Sequence, residues 1–216
     1  MFKPGEIQKK AHEGGVRDQQ IEKDYMLSWI LHGIGQHQQL SKAIIFKGGT
    51  VLKKIYFEDY RFSGDLDFTL LNSNISNELI LIWFKEIFEF VLVEANIRLE
   101  ITASNEHEDG GINFYFSYVD PLGGQGKNKK VKVDISRSEK LEFNPVLKLV
   151  LFGYFDLKEH QLLCYTLEEV LVEKMHTVIQ RMQFCDFYDI WYLLEQHGMN
   201  VNFYLKEFAN KCSSKN

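Results

Sequence analysis

Asp65 and Asp67 stand one residue apart in a run where charged and apolar side chains alternate: Asp65, Leu66, Asp67, Phe68. Alternation at period two is how a half-buried strand reads, and it puts both carboxylates on one face. Like charges held that close raise each other's pKa unless a cation lies between them, and carboxylate oxygens suit Mg²⁺ that also ligates substrate phosphates. Upstream, Gly48-Gly49 ends the apolar run Lys42 to Phe46, and Val51, Leu52, Ile55 and Tyr56 then recur at helical intervals. A helix is therefore expected to open near Gly49 or Thr50, with backbone N–H groups that favour an anion. Carboxylates and glycine turn together can hold a nucleoside triphosphate and its metal ions side by side, which points to phosphoryl or nucleotidyl transfer. Each feature alone is a weak signal, since Asp-x-Asp on a solvent-facing strand is common; the joint pattern is less ordinary.

A third carboxylate has its own local support. Val131, Val133 and Ile135 alternate with Lys132, Asp134 and Ser136, placing Asp134 on the non-apolar face of a strand, where plain surface polarity is the competing reading. Thr166 with Glu169 reads as a capping box opening a helix whose apolar stripe is Leu167, Val170, Leu171, Met175, Val178 and Ile179. Lys174 falls inside that stripe, so it either snorkels to the edge or reaches a buried anion such as a triphosphate. Asp186 precedes the run Ile190 to Leu194 with Asp189 three residues on, and capping of a last helix would explain it without chemistry.

The elements that must position these groups are legible along the chain. Asp18 to Gln36 reads as a helix capped by Asp18, burying Ile21, Tyr25 and Ile30 and leaving Glu22, Lys23 and Asp24 mostly exposed. A long helix is expected over Asn77 to Asn96, then strands near Ile97 to Ala103 and Ile112 to Val119 joined at Asp109-Gly110-Gly111, and a strand over Lys130 to Ser136. These give an α+β (α/β layered) fold: a mixed β-sheet with packed helices over residues 1–160, then a helical C-terminal subdomain over 161–216 packed on it.

Composition sets outer bounds. With 216 residues, 45% hydrophobic and 25% charged, the chain can bury a sizeable core. The greasiest segment, Leu79 to Val93, is broken by Lys85, Glu86 and Glu89 at helical spacing, which excludes a membrane span there and predicts a core helix. Cysteines at 164, 185 and 212 match no metal spacing, and the first residues lack an apolar signal region, so a reduced, cytoplasmic setting is expected. A net charge of −5 argues against a strongly basic nucleic-acid binder, leaving one local patch, Lys127, Lys129, Lys130 and Lys132, which is as readily a solvated loop.

Five segments in order carry a resemblance: IEKDYMLSWIL at Ile21 to Leu31, FKGGTVLKK at Phe46 to Lys54, RFSGDLDF at Arg61 to Phe68, KVDIS at Lys132 to Ser136, and TLEEVLVEKMHTVIQR with CDFYDI between Thr166 and Ile190. They resemble the AbiEii/AbiGii-type abortive-infection toxins of the DNA polymerase β-like nucleotidyltransferase superfamily. The resemblance implies a minimal nucleotidyltransferase core in which Gly48 and Gly49 cradle a triphosphate, while Asp65, Asp67 and Asp134 bind two Mg²⁺ ions. It also implies roles for Lys174 and Asp186, and Thr50 and Ser63 are expected to add hydrogen bonds to the nucleotide. The partners it implies are an NTP, an RNA acceptor with tRNA foremost, and an antitoxin encoded nearby. The chain departs from the family pattern at Cys185, where members often carry Arg. Two other readings stay open: a nucleotide-binding or kinase-like phosphotransferase, and a non-catalytic module that binds a partner protein.

Overall fold

The computed structural model describes residues 2–119, 122, 129–137, 139–151 and 153–214. Seven strands form one mixed sheet in the order β3-β4-β5-β2-β1-β7-β6. They are β1 (Ile44–Lys47), β2 (Leu66–Leu70), β3 (Arg98–Glu106), β4 (Ile112–Val119), β5 (Lys130–Ser136), β6 (Val146–Leu149) and β7 (Gln161–Cys164). The pairs β2/β5 and β1/β7 are parallel and the others antiparallel. The expected strand at Lys42 to Phe46 starts later, because Lys42 and Ala43 finish a short helical turn, α3 (Leu40–Ala43).

On one face of the sheet lie α2 (Asp18–Gln36) and α5 (Asn77–Ala95). Helix α5 turns Ile80, Phe84, Ile87, Phe88 and Val91 inward, and its rings meet those of β4, Phe84 on Phe114 at 4.8 Å and Phe88 on Phe116 at 5.3 Å between centroids. The alternation read in the sequence holds along β4 and β5: Phe114, Phe116, Val131, Val133 and Ile135 are buried, while Lys132, Asp134 and Ser136 face the other way. Helix α1 (Pro4–Glu13) packs on α2, and Phe2 closes an aromatic cluster with Tyr25 and Tyr154.

Helix α2 departs from expectation in two respects. Arg17, not Asp18, occupies its cap position, and Glu22 and Asp24 are buried rather than exposed. Both acids are buried because each has cationic and hydrogen-bonding partners there. Glu22 accepts from the Leu122 N–H at 3.2 Å and pairs with Lys129 at 3.5 Å. Asp24 pairs with Lys54 at 2.7 Å and accepts from the Tyr154 hydroxyl at 2.8 Å, while Lys54 also donates to Ser28. Lys54 comes from a wide, π-type turn, Leu52–Tyr56, that continues the short helix α4 (Gly48–Val51), so this ion pair ties α2 to the glycine turn.

The chain after 160 first adds β7 to the sheet and then runs through α6 (Leu167–Arg181), α7 (Phe184–Trp191) and α8 (Leu205–Ser214). The Thr166 hydroxyl caps α6 by accepting from the Glu169 N–H at 3.2 Å. Glu169 does not return the bond; its carboxylate accepts from the N–H groups of Glu142 and Phe143, both at 2.8 Å, and from buried Lys211 of α8. The far end of the expected apolar stripe, Ile179, is exposed.

Removing one partner of a buried pair strands the other charge away from water. Asp24→Ala is therefore expected to cost about 3–5 kcal/mol in urea unfolding, and adding Lys54→Met should recover most of that loss.

Candidate active site

The sheet register assembles the chemistry. In the β2/β5 ladder Asp67 lies directly beside Asp134, and in the β1/β2 ladder Lys47 lies beside Asp67. Immediately after Lys47 the backbone turns through Gly48 at φ +77°, a left-handed conformation that side chains resist. A Cβ there would collide with the Asp67 carboxylate, so glycine is required both by the turn and by the neighbour it touches. Gly48, Asp67, Asp134 and Lys174 line one cleft of about 280 Å³, together with Lys47, Lys132, Glu139, Glu173, Thr177, Gln180 and Arg181.

Charge in this cleft is unevenly compensated. Asp67 is pushed up to about 6, first by its withdrawal from water at the cleft floor and then by the charges of Asp134, Glu173 and Asp65, against the opposing pull of Lys47. Lys47 itself is committed elsewhere. Its ammonium bonds Glu139 and reaches Glu173 at 3.3 Å, and these acids hold it above the ordinary lysine range although burial alone would lower it. Asp134 is held by Lys132 at 2.6 Å, with His107 at 3.6 Å. Asp65 is exposed just ahead of β2, with the Lys23 ammonium 4.0 Å away.

A divalent cation fits the donor set: carboxylate oxygens on adjacent strands, with negative charge at Asp67 that the neighbouring lysines leave under-neutralised. Among the described residues no three His, Cys, Asp or Glu side chains converge closely enough to grip an ion as they stand. Asp134 would have to exchange its Lys132 contact, and Asp65 to swing in from the rim.

Behind the cleft is a second cluster, built around two carboxylates shut off from solvent. Lys174 donates to Asp186 at 2.7 Å and lies 2.8 Å from Asp189; both carboxylates are fully buried. Arg181 adds two hydrogen bonds to Asp186, at 2.8 and 3.1 Å. Tyr60 donates to Asp189 at 2.6 Å, and Arg61 donates through Nε and Nη2 at 2.8 and 2.6 Å. Burial works against ionisation of Asp186, but its bonds to Arg181 and Lys174 win and hold it below the usual carboxylate range. Lys174 is held above its ordinary value by Asp189 and Asp186 despite its own burial.

With this geometry in place, comparison with known proteins is decisive for the family. The family model described as nucleotidyl transferase AbiEii toxin, type IV TA system, matches residues 29–216. The chain belongs to that family. No curated protein matches the chain. Among solved structures, the nucleotidyltransferase toxin MenT4 from Mycobacterium tuberculosis H37Rv superposes with a TM-score of 0.66 at 19% identity, over 88% of this chain and 63% of that one. JHP933 from Helicobacter pylori gives 0.59 at 16% identity, over 90% and 75%. At such identities the likeness is one of fold, and this chain spans less than two thirds of the length of MenT4.

Within this AbiEii fold the residues singled out in the sequence are placed unequally. Gly48, Asp67, Asp134 and Lys174 share the cleft, with Gly49 next along the turn and Asp65 outside at its rim. The Thr50 hydroxyl is buried and donates to the Asp65 carbonyl at 2.5 Å, pinning the turn to the segment that leads into β2. Ser63 is half-buried in the irregular stretch before β2, outside the cleft lining. Asp186 is no helix cap, since Gln183 holds that position; it sits behind Lys174, and Arg181 supplies the guanidinium that Cys185 does not. The anion that Lys174 reaches is the protein's own pair of carboxylates.

Sequence reasoning overlooked Lys47, Glu139, Glu173, Arg181 and Asp189. Asp189 was the findable one, three residues after Asp186 and so on the same helix face. Of the expected basic patch, Lys129 and Lys132 serve internal ion pairs, Lys130 is exposed, and Lys127 lies outside the described residues.

The Asp67 shift has a definite sign. Its folded value lies above its unfolded one, so the folded state binds the proton more tightly, and stability falls as pH rises from about 4 to about 6, by on the order of 3 kcal/mol. Urea unfolding of Asp67→Asn should lack that slope and exceed wild type at pH 7. Millimolar Mg²⁺ should raise the wild-type melting temperature more at pH 7.5 than at pH 5, and leave Asp67→Asn unmoved.

Proposed function

We propose that the protein transfers a nucleotide from a nucleoside triphosphate to an acceptor hydroxyl, with Asp65, Asp67 and Asp134 holding two Mg²⁺ ions. The reading rests on one observation above all: the β2/β5 register sets Asp67 beside Asp134 and against the bare backbone of Gly48. Bound there, the cations would polarise the phosphates and offset charge on the leaving group.

The chain's own groups supply the rest. Asp65, exposed at the rim, is open to the acceptor and takes the proton of its hydroxyl. The freed oxygen attacks the α-phosphorus, the bond from that phosphorus to the bridging oxygen breaks, and pyrophosphate departs with the bonding electrons. Gly48 and Gly49 carry no side chain of their own, which lets the turn pack closely against the groups that line the phosphate path. Lys174, pre-positioned by two carboxylates, stabilises the charge that develops on the departing oxygens.

Membership of a type IV toxin–antitoxin family supports an antitoxin partner and a toxic role in a bacterial cytoplasm. Family likeness favours an RNA acceptor, tRNA first. Among the described residues of the basic patch, Lys130, at the start of the Asp134 strand, is exposed.

The test is to incubate the purified protein with each labelled NTP, Mg²⁺ and total bacterial RNA. Label entering RNA is the expected result, reduced by about 10²–10⁴-fold in Asp65→Ala and Asp67→Ala whose circular dichroism is unchanged. Label on protein, or release of free phosphate alone, would instead mark a kinase-like phosphotransferase or a hydrolase.

A further inference from the structure

Helix α7 is built inside out: it buries Asp186 and Asp189 and exposes Phe184, Phe187, Tyr188 and Trp191. Burying two acids is costly unless they hold something in place. Asp186 holds Lys174 and Arg181, which line the cleft. Asp189 holds Lys174 and also Arg61, a residue outside the cleft lining to which the chemistry above gives no role.

Arg61 is placed with unusual care. Its Nε and Nη2 both bond Asp189 Oδ1, and Nη2 also reaches the Cys185 carbonyl at 3.5 Å. Its guanidinium carbon lies 5.7 Å from the ring centre of Tyr60 and 5.9 Å from that of Tyr188, which fixes the plane of the group. A Cβ on Gly49 would stand 3.0 Å from Nη2, so the guanidinium covers the second glycine of the turn as Asp67 covers the first. About a quarter of the Arg61 side chain remains exposed, and its hydrogen bonds among the described residues run through Nε and Nη2, which leaves Nη1 to a ligand.

The charge count in this cluster is uneven. Lys174, Arg181 and Arg61 are three cations against the two carboxylates Asp186 and Asp189, so the cluster carries one positive charge more than it neutralises, beside a glycine on which both Arg61 and Asp189 pack. A guanidinium fixed through Nε and Nη2, with Nη1 left over, is a site for a phosphate oxygen. We propose that Arg61, docked by Asp189 over Gly49, binds the terminal phosphates of the nucleotide. The phosphate chain then runs from Asp67 and Asp134 past Gly48 and Lys174 to Gly49 and Arg61. This assignment rests on the nucleotidyl-transfer reading for the identity of its ligand, though not for the anion site itself.

Binding measurements separate Arg61 as a phosphate ligand from Arg61 as a mere counter-ion for Asp189. Titrations would use the four NTPs, the matching monophosphates and inorganic tripolyphosphate, all with Mg²⁺, against wild type, Arg61→Ala, Arg61→Lys and Lys9→Ala. Lys9 is an exposed lysine of α1 and controls for the loss of one surface charge. Arg61→Ala should weaken triphosphate and tripolyphosphate binding by about 10–100-fold, and Arg61→Lys, which keeps the charge on Asp189 but loses the fork, by about tenfold. Monophosphate binding should stay within about twofold in both, and Lys9→Ala should match wild type throughout. If Arg61→Ala does not fold, the Arg61→Lys ratio of triphosphate to monophosphate affinity decides. Equal losses for mono- and triphosphates, or unchanged triphosphate affinity in a folded Arg61 variant, would overturn the assignment. A wild type that binds tripolyphosphate through Arg61 but discriminates against every NTP would keep the anion site and sink the nucleotidyl-transfer reading. Binding of neither would sink both.

Discussion

Lys174 held between Asp186 and Asp189 is the interaction on which the site depends. Two carboxylates with no exposure to water are tolerable only while cations and hydroxyl donors satisfy them, and here Lys174, Arg181, Arg61 and Tyr60 do so. Because the donors come from α6 and from the loop before β2 while both acids sit on α7, the cluster locks the C-terminal helices onto the segment that carries the glycine turn. The pairing also fixes orientation: a lysine in water would sample many rotamers, whereas this one is held by two carboxylates at the edge of the cleft.

Across the cleft the electrostatic logic is reversed. Asp67 is crowded by Asp134, Asp65 and Glu173, and Lys47, its nearest cation along the ladder, is shared with Glu139 and Glu173. One wall is thus a compensated cation set with charge to spare, and the other is a carboxylate set short of cations. A metal-bound nucleotide carries both complements, phosphate oxygens for the first wall and divalent charge for the second. Lys132 on Asp134 and Lys23 near Asp65 stand in the places those cations would compete for.

Much of the frame was legible in the chain because it depends on local periodicity. The alternation in β4 and β5, the Asp109-Gly110-Gly111 turn, the long helix after β2 and the break at Gly48-Gly49 each follow from side-chain spacing or from glycine's freedom at positive φ. Expectations failed where a residue's fate is set by a partner far away. Glu22 and Asp24 read as solvated until Lys129 and Lys54 are seen beside them. The bond from the Thr50 hydroxyl to the Asp65 carbonyl is equally invisible in the chain, because its partner lies fifteen residues on. The short strands β6 and β7 carry no clear alternation to announce themselves, and they are defined by pairing, β7 along β1 and β6 along β7.

The sequence by itself determined the family, the central strands and long helices, and the identity of the acidic and glycine motifs, since those are matters of residue type and spacing. Only the tertiary structure decided which charges meet. Asp67 and Asp134 become neighbours through a parallel ladder between strands distant in the chain, and Asp189 and Arg61 through the packing of α7 on the loop before β2. Long-range pairing of this kind depends on how closed surfaces share a core, and no one-dimensional pattern of charges records it.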